Sequence, residues 1–515
     1  MDENRRGTAR TVGMMMVLTL LGKVLGLLRD MRMGHVFATG AVSDAFLAAS
    51  RIPRNFFDAI FASAISASFI PVFNEYLEKK GREEAFRLSN AFLTVTALAT
   101  AAMSLLGMTF SQPLTALLAS GFDEPTAALC ARLLCILFPT VLFTGVAFSI
   151  VGVLQSLGEF HIPALLSAVS NGAILLYFFT LCDRFGVVGL AWAYLVGWGL
   201  QVLVQLPALR RFGYHYRPSL RHAGLRKIFT LMLPVMASTW VQPFNLMVAT
   251  RYASRISGGA SALEYANTLY TIISGVFVLS VANVVFPELS RLSAQQKSQQ
   301  LGESLKGTLR IMLFFLAPMT AGLFVMARPL VRLLYQWGEW SESSTQLTAG
   351  ALALLSLGMI AYGLQIILSR AYYAAQRGKM PLVSGVVGVA VNLVLCALLA
   401  PSMGVSGLAL ASSLASLSGA LVLLVPLSRR YGLLRGEGGQ LARTALCTAA
   451  MTAVVWLLRA ALEAHLGASL AARVTVMLVP TLVGVIVFFA LAWLLRVHAL
   501  YDLKELLKKK GADAA

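Results

Sequence analysis

The 515 residues are 58% hydrophobic and only 13% charged, with a mean hydropathy of +0.75. A soluble chain is about 45–50% apolar and about 25% charged, so this composition excludes a soluble multidomain protein and requires lipid around most of the surface. The 42 Lys and Arg outweigh 23 Asp and Glu, and in so apolar a chain that surplus belongs to cytoplasmic loops before it belongs to nucleic acid.

A spanning helix needs about 20 mostly apolar residues, and backbone in lipid must satisfy its own hydrogen bonds. The chain therefore reads as an all-α polytopic membrane protein. Fourteen transmembrane helices are expected, over 11–36, 43–74, 84–109, 126–156, 162–181, 186–208, 225–254, 262–287, 304–327, 345–372, 381–400, 404–427, 440–459 and 474–495. Arg5, Arg6 and Arg10 before the first run resemble a secretory leader, but no small-residue cleavage site follows. We read it as a retained first span.

Most of the Lys and Arg outside the spans fall on the side that holds the N-terminus. They cluster around Lys79–Arg87, Arg210–Lys227, Arg429–Arg443 and Lys504–Lys510. Both termini are therefore expected in the cytoplasm, with the chain multi-pass in the membrane.

The first two spans hold charges that lipid does not tolerate unpaired. They are Lys23, Arg29, Asp30, Arg32, Asp44, Arg51, Arg54 and Asp58. Asp44, Arg51 and Asp58 recur every seven residues, on one helix face, and Pro53 among them should kink the second span. These groups either hold the two helices together as ion pairs or, with cations in excess, accept an anionic ligand. Arg251 and Arg255 near the outer end of the seventh span either join that set or snorkel to the interface.

The second half of the chain repeats the first. Gly186-Val-Val-Gly-Leu-Ala-Trp-Ala193 matches Gly404-Val-Ser-Gly-Leu-Ala-Leu-Ala411, and Arg210-Arg-Phe-Gly213 matches Arg429-Arg-Tyr-Gly432. Pro163 matches Pro381, and Pro207 matches Pro426. A repeat of six spans keeps its orientation, so the copies are parallel and related by an axis along the membrane normal. The expected organisation is an N-lobe over 1–208, a basic cytoplasmic linker over 209–228, a C-lobe over 229–430, and two additional C-terminal spans with a tail over 431–515. Two such lobes leave a cleft between them, which is a transporter layout.

Enzyme signatures are missing. No P-loop or G-x-S-x-G occurs, and the six His and five Cys have no ligand spacing. The chain is therefore read as a transporter, not an enzyme, with no catalytic residues, cofactor or metal site.

The motif Lys23-Val-Leu-Gly-Leu-Leu-Arg-Asp30, followed by Ser43-Asp-Ala-Phe46, Arg51-Ile-Pro53 and Ser68-Phe-Ile-Pro71, carries a family resemblance. So do Phe286-Pro-Glu-Leu-Ser290, Leu334-Tyr-Gln-Trp-Gly338, Arg370-Ala-Tyr-Tyr-Ala374 and Asn392. In these the chain resembles the MurJ/MviN lipid II flippase family of the MATE-like exporter superfamily. The resemblance implies two lobes around a cationic cavity, with the last two spans forming a groove for a lipid tail. It implies lipid II, or a related anionic polyprenyl-diphosphate glycolipid, as the substrate, moved from the inner to the outer leaflet by alternating access. Lys23, Arg29, Asp30, Asp44, Arg51, Arg54, Asp58, Arg251 and Arg255 are then the candidate substrate-binding residues.

The chain departs from the family pattern at Phe57, at Ala62-Ser63, at Asn267-Thr268 and at Ala249, where some members have a sodium-linked carboxylate. Spans seven and eleven contain no Asp or Glu, so backbone carbonyls with Asn245, Thr250 or Asn392 would offer only a weak sodium site. Membrane potential is the expected driving force. Export of another polyprenyl-diphosphate glycan stays open as an alternative. So does a scaffold that recruits cell-wall synthesis enzymes. Membrane lipids are expected partners; nucleic acid is not.

Overall fold

The computed structural model describes residues 2–500, apart from 58–60, 62–63, 240 and 468. All regular structure among the described residues is helical. Among the described residues the expected stretches are helical, some interrupted by short breaks and several running well past the expected ends. Among the described residues, nine helices are long and apolar enough to cross a membrane, and one pair bent by 45° makes a tenth. The first, second and seventh stretches are helical too, but they carry the charges and breaks described below. The chain divides into two compact units, Met1–Ala260 and Ser261–Ala515.

In the first unit, α1 (Asp2–Phe37) leads through a short turn into α2 (Ala41–Ser50). Two π-helical segments follow, Arg51–Phe56 and Ile65–Phe69, before α3 (Ile70–Lys80). Pro53 lies inside the first π segment. Proline supplies no N–H and its ring clashes with the preceding turn. Here the chain answers by widening its turns, and π segments of this kind favour functional positions. Then come α4 (Arg82–Thr109), α5 (Ser111–Leu118), α6 (Glu124–Leu137), α7 (Thr140–Ser156), α8 (His161–Thr180), α9 (Cys182–Arg211), α10 (Ala223–Thr239) and α11 (Val241–Ala253).

Helix α1 packs along α8 because Gly22 and Gly26 leave room. A Cβ on Gly22 would stand 3.0 Å from Ser167, and one on Gly26 would stand 3.3 Å from Asn171. Small residues allow such close backbone approach where lipid gives helices no hydrophobic reason to associate. Phe69 stacks on Phe92 at 4.6 Å between the second π segment and α4. Helix α10 packs against that same segment, and α11 against α5 and the first π segment. The seventh stretch therefore packs within the first unit.

The basic linker is not a free tether. Tyr214 and Ser89 share a hydrogen bond at 3.2 Å, Tyr216 and Thr94 share one at 2.9 Å, and Asn90 donates to the His215 carbonyl at 3.3 Å. The segment is thus strapped along α4. Lys227 donates to Glu75, and this bond, with that from Lys79, holds the Glu75 carboxyl below its usual range.

The second unit contains α12 (Gly259–Ala294), α13 (Ser298–Tyr335), α14 (Glu342–Ser356), α15 (Met359–Ala374), α16 (Lys379–Tyr431), α17 (Gly438–His465) and α18 (Leu470–Leu494). Helix α16 has 53 residues. At 1.5 Å per residue that is about 80 Å, far more than a bilayer needs. Gly404 breaks it, with φ 60° and ψ −138°, into the two expected spans. Gly186 breaks α9 near its start with almost the same angles, φ 54° and ψ −144°. Gly213 and Gly432 end the two Arg-Arg-aromatic-Gly runs at φ 68° and 64°. Matched sequence positions thus share backbone conformations that side-chain-bearing residues avoid.

The last two helices pack on α13 and on each other. Phe314 of α13 meets Phe488 at 5.0 Å, within a core that includes Cys447, Met451 and Val455. Arg310 donates to both Glu437 oxygens, at 3.0 and 2.7 Å. These bonds, outweighing partial burial, hold the Glu437 carboxyl below its usual range and fasten the loop that enters α17.

Candidate functional site

Arg29 lies near the C-terminal end of α1, on the side facing α8. Its Nε and Nη2 donate to Asp30 Oδ1 at 2.9 and 2.7 Å, and its Nη1 donates to Asn171 Oδ1 at 2.8 Å. Both charged side chains are largely buried, at 12% and 15% exposure. Asn171 in turn donates to the Gly22 carbonyl at 3.1 Å and to Ser167 Oγ at 3.3 Å. Its amide is held from both helices, so its carbonyl is fixed on the guanidinium. The Arg29 guanidinium also lies 5.6 Å from the Tyr194 ring centre. An aromatic face favours a cation by about 0.5–2 kcal/mol, more as water is excluded.

Asp44 and Arg51 are both buried, at 2% and 3% exposure. Arg51 opens the first π segment and reaches α11, donating to the Leu246 carbonyl at 3.1 Å and to Thr250 Oγ1. Thr250 donates onward to Leu246 O at 2.8 Å. Removing a guanidinium from water costs several kcal/mol, so one that is kept there needs such acceptors. Arg54 is half-buried on the next turn. With Ser50, Pro53, Tyr194 and Trp198 it borders a space of about 10 Å³, at most one water. The Tyr194 ring, which stacks on Trp198 at 5.8 Å and meets Phe46 at 5.1 Å, therefore stands beside both Arg29 and Arg54.

The other candidates lie elsewhere. Lys23 is exposed on α1, beside exposed Leu21 and Val24. Arg251 is exposed at the end of α11 and donates to the Leu117 carbonyl at 3.3 Å. Arg255 is exposed just beyond, its guanidinium 5.5 Å from the Tyr252 ring. Gly121 packs on the Arg255 backbone, and its N–H donates to Ser254 Oγ at 3.1 Å. Asp58 and Ala62-Ser63 lie outside the described residues. Arg29, Arg51 and Arg54 are thus the cations the first unit draws inward, with Asp30 beside Arg29 and buried Asp44 on the helix before Arg51. Asn171 and Tyr194 were not singled out from the sequence. Asn171 is the lone amide in an apolar span, and that was its available signal.

Among the described residues, no three His, Cys, Asp or Glu side chains gather as a metal site. Asn392 is fully buried, and its Oδ1 faces Cys396 Sγ at 3.6 Å. The arrangement gathers guanidiniums, groups that suit phosphate oxygens by charge and geometry.

The model of the lipid II flippase MurJ family matches residues 33–477. A probable lipid II flippase MurJ of Vibrio cholerae is 32% identical over 462 residues, covering 85% of this chain and 87% of its own length. The lipid II flippase MurJ of Burkholderia cenocepacia is 29% identical over 423 residues, covering 80% and 82%. Among solved structures, a lipid II flippase MurJ in an inward closed conformation superposes with a TM-score of 0.78 at 24% identity, covering 93% of this chain and 97% of its own. An inward-facing multidrug resistance MATE family transporter superposes with a TM-score of 0.65 at 15% identity, covering 82% and 99%. Those two share the all-α polytopic fold, while the family model and the 32% identical relative reach further: this chain belongs to the lipid II flippase MurJ family.

Proposed function

We propose that this protein moves lipid II, the undecaprenyl-diphosphate-linked peptidoglycan precursor, from the inner to the outer leaflet of the bacterial cytoplasmic membrane. The observation that carries the reading is a buried guanidinium, Arg51, with a second, Arg29, only 12% exposed, in a chain of this family. Arg29 is aimed by Asp30 and Asn171, and Arg51 is tied to the seventh span by Thr250. The diphosphate meets Arg29, Arg51 and Arg54. The polyprenyl tail stays in lipid, so only the head crosses through protein.

The moving parts are the lobes 1–208 and 229–430, with the seventh span held on the first unit by Arg51 and Thr250 in this conformation. Linker 209–228 joins them, and 431–515 is the addition. Both termini lie in the cytoplasm. Alternating access exposes the cations first to one leaflet and then to the other. An interior-negative potential assists export of an anion by about 2.3 kcal/mol per charge per 100 mV crossed. The test is complementation. The host's own lipid II flippase is depleted, this chain is expressed, and growth and lipid II export are followed. Restoration is the expected result. Failure with normal surface expression removes lipid II as the substrate.

A further inference from the structure

The second unit contains a cavity of about 300 Å³ between the end of α13 and the turn joining α17 to α18. Its wall carries Arg332, Gln336, Glu463 and Arg473, with Leu466 and Val476 supplying apolar surface. The charged groups are held by their neighbours. Arg473 donates to the Gln336 carbonyl at 2.7 Å and lies 4.9 Å from the Trp337 ring. Arg332 donates to Glu342 at 2.9 Å. Glu463 accepts from Arg459 at 3.2 Å. Ala472, also in the wall, stands in the first turn of α18, where Ser469 accepts its N–H at 3.2 Å. That adds the positive end of a helix dipole.

The wall thus presents two guanidiniums and a helix N-terminus with one carboxylate. A simple anion meets Glu463, and a simple cation meets Arg332 and Arg473. A ligand bearing both signs satisfies all three. The volume is at the small end of ligand sites. Trp337 is exposed beside the cavity, as interfacial Trp residues are, and Leu470, Leu478 and Leu482 expose apolar side chains along α18. The occupant is therefore amphiphilic.

We infer that this cavity holds the zwitterionic headgroup of an aminophospholipid, with its phosphate on Arg332 and Arg473 and its primary ammonium on Glu463. The site belongs to the second unit and the cations of the first two spans to the first, so its test does not depend on export. The full-length chain is purified, exchanged into phospholipids of identical acyl chains with ethanolamine, choline or glycerol headgroups, and read by native mass spectrometry. Ethanolamine lipid is expected to be retained about tenfold over choline lipid, because a quaternary ammonium has no N–H to donate to a carboxylate. Glu463→Gln should erase the ethanolamine preference while phospholipid still binds. Arg473→Gln should weaken all three lipids, with a thermal melt confirming that the chain is folded. The headgroup series on the unaltered chain needs no variant. Equal retention of the three lipids overturns the inference, as does an unchanged preference in Glu463→Gln. Displacement of bound lipid by undecaprenyl diphosphate also overturns it, by giving the cavity to the transported class.

Discussion

Arg29 serves an anion only if its guanidinium is aimed, and the aiming falls to Asn171 as well as to Asp30. Asn171→Ala leaves a buried donor short of an acceptor, a cost of about 1–3 kcal/mol. Lipid II export should fall several-fold in that variant and disappear in Arg29→Ala, with surface expression maintained in both. A double-mutant cycle on thermal unfolding separates positioning from bulk damage. The coupling should be about 1–3 kcal/mol, and zero coupling removes Asn171 from the account. A second residue-level prediction concerns energy. Thr250 is one of the few side-chain oxygens that span seven offers a sodium ion, yet it receives the Arg51 guanidinium. A cation there would sit against another cation. Transport in proteoliposomes should follow membrane potential at fixed sodium. Transport that follows sodium with the potential clamped, and ignores potential at fixed sodium, would overturn this prediction.

At the scale of elements, the repeated glycine breaks are the sharpest feature. Nothing lies within 4 Å of a Cβ built on Gly186, so Gly186→Ala should cost only backbone strain, about 1–3 kcal/mol. Gly172 lies within α8 with equally open surroundings, and Gly172→Ala should hold or raise the melting temperature. Equal effects in the two variants would contradict the assigned backbone. The junction of α13 and α14 carries a pH-dependent contribution. Burial pushes the Glu342 carboxyl up, but hydrogen bonds from Arg328 and Arg332 outweigh it and hold the group at about 2. A carboxylate depressed in the folded state adds stability above its ordinary pKa of 4.5 and loses it as pH falls towards 2. Glu342→Gln should therefore lower the melting temperature at pH 7. The gap from the parent should narrow as pH drops below 4.5. A constant gap would place the effect in packing rather than charge.

For the whole molecule, the distribution of Lys and Arg bears on orientation. The basic segments at Lys79–Arg87 and Arg210–Lys227 lie on one side of the expected topology, so they and both termini are expected in the cytoplasm. Ser120 is exposed in the loop after α5, and Leu220 is 60% exposed in the strapped linker. Of the five native cysteines, four are buried and Cys135 is half-buried, so single cysteines added at the surface should dominate labelling. Ser120→Cys should react with an impermeant maleimide in intact cells. Leu220→Cys should react only after permeabilisation. The reverse pattern overturns the orientation.

Composition and periodicity were enough to place the helical stretches, because lipid demands long apolar helices whatever their neighbours are. The duplication was legible as well, and the shared angles at Gly186 and Gly404 are its backbone counterpart. Intramembrane charge pointed to Arg29, Asp30, Arg51 and Arg54 because such groups are rare and costly. Which of the charges belong together was a tertiary matter. Lys23 and Arg29 share a helix, yet one is exposed and the other is held by Asn171 from a helix 142 positions away in sequence. The seven-residue spacing around Arg51 assumed regular α-helix, and Pro53 sits in wider π turns instead. Thr250 read as an oxygen for a cation until the fold set a guanidinium on it. Helix formation is set within a few turns of chain. Partner choice depends on which distant helices pack side by side, and that information lies in no local stretch of sequence.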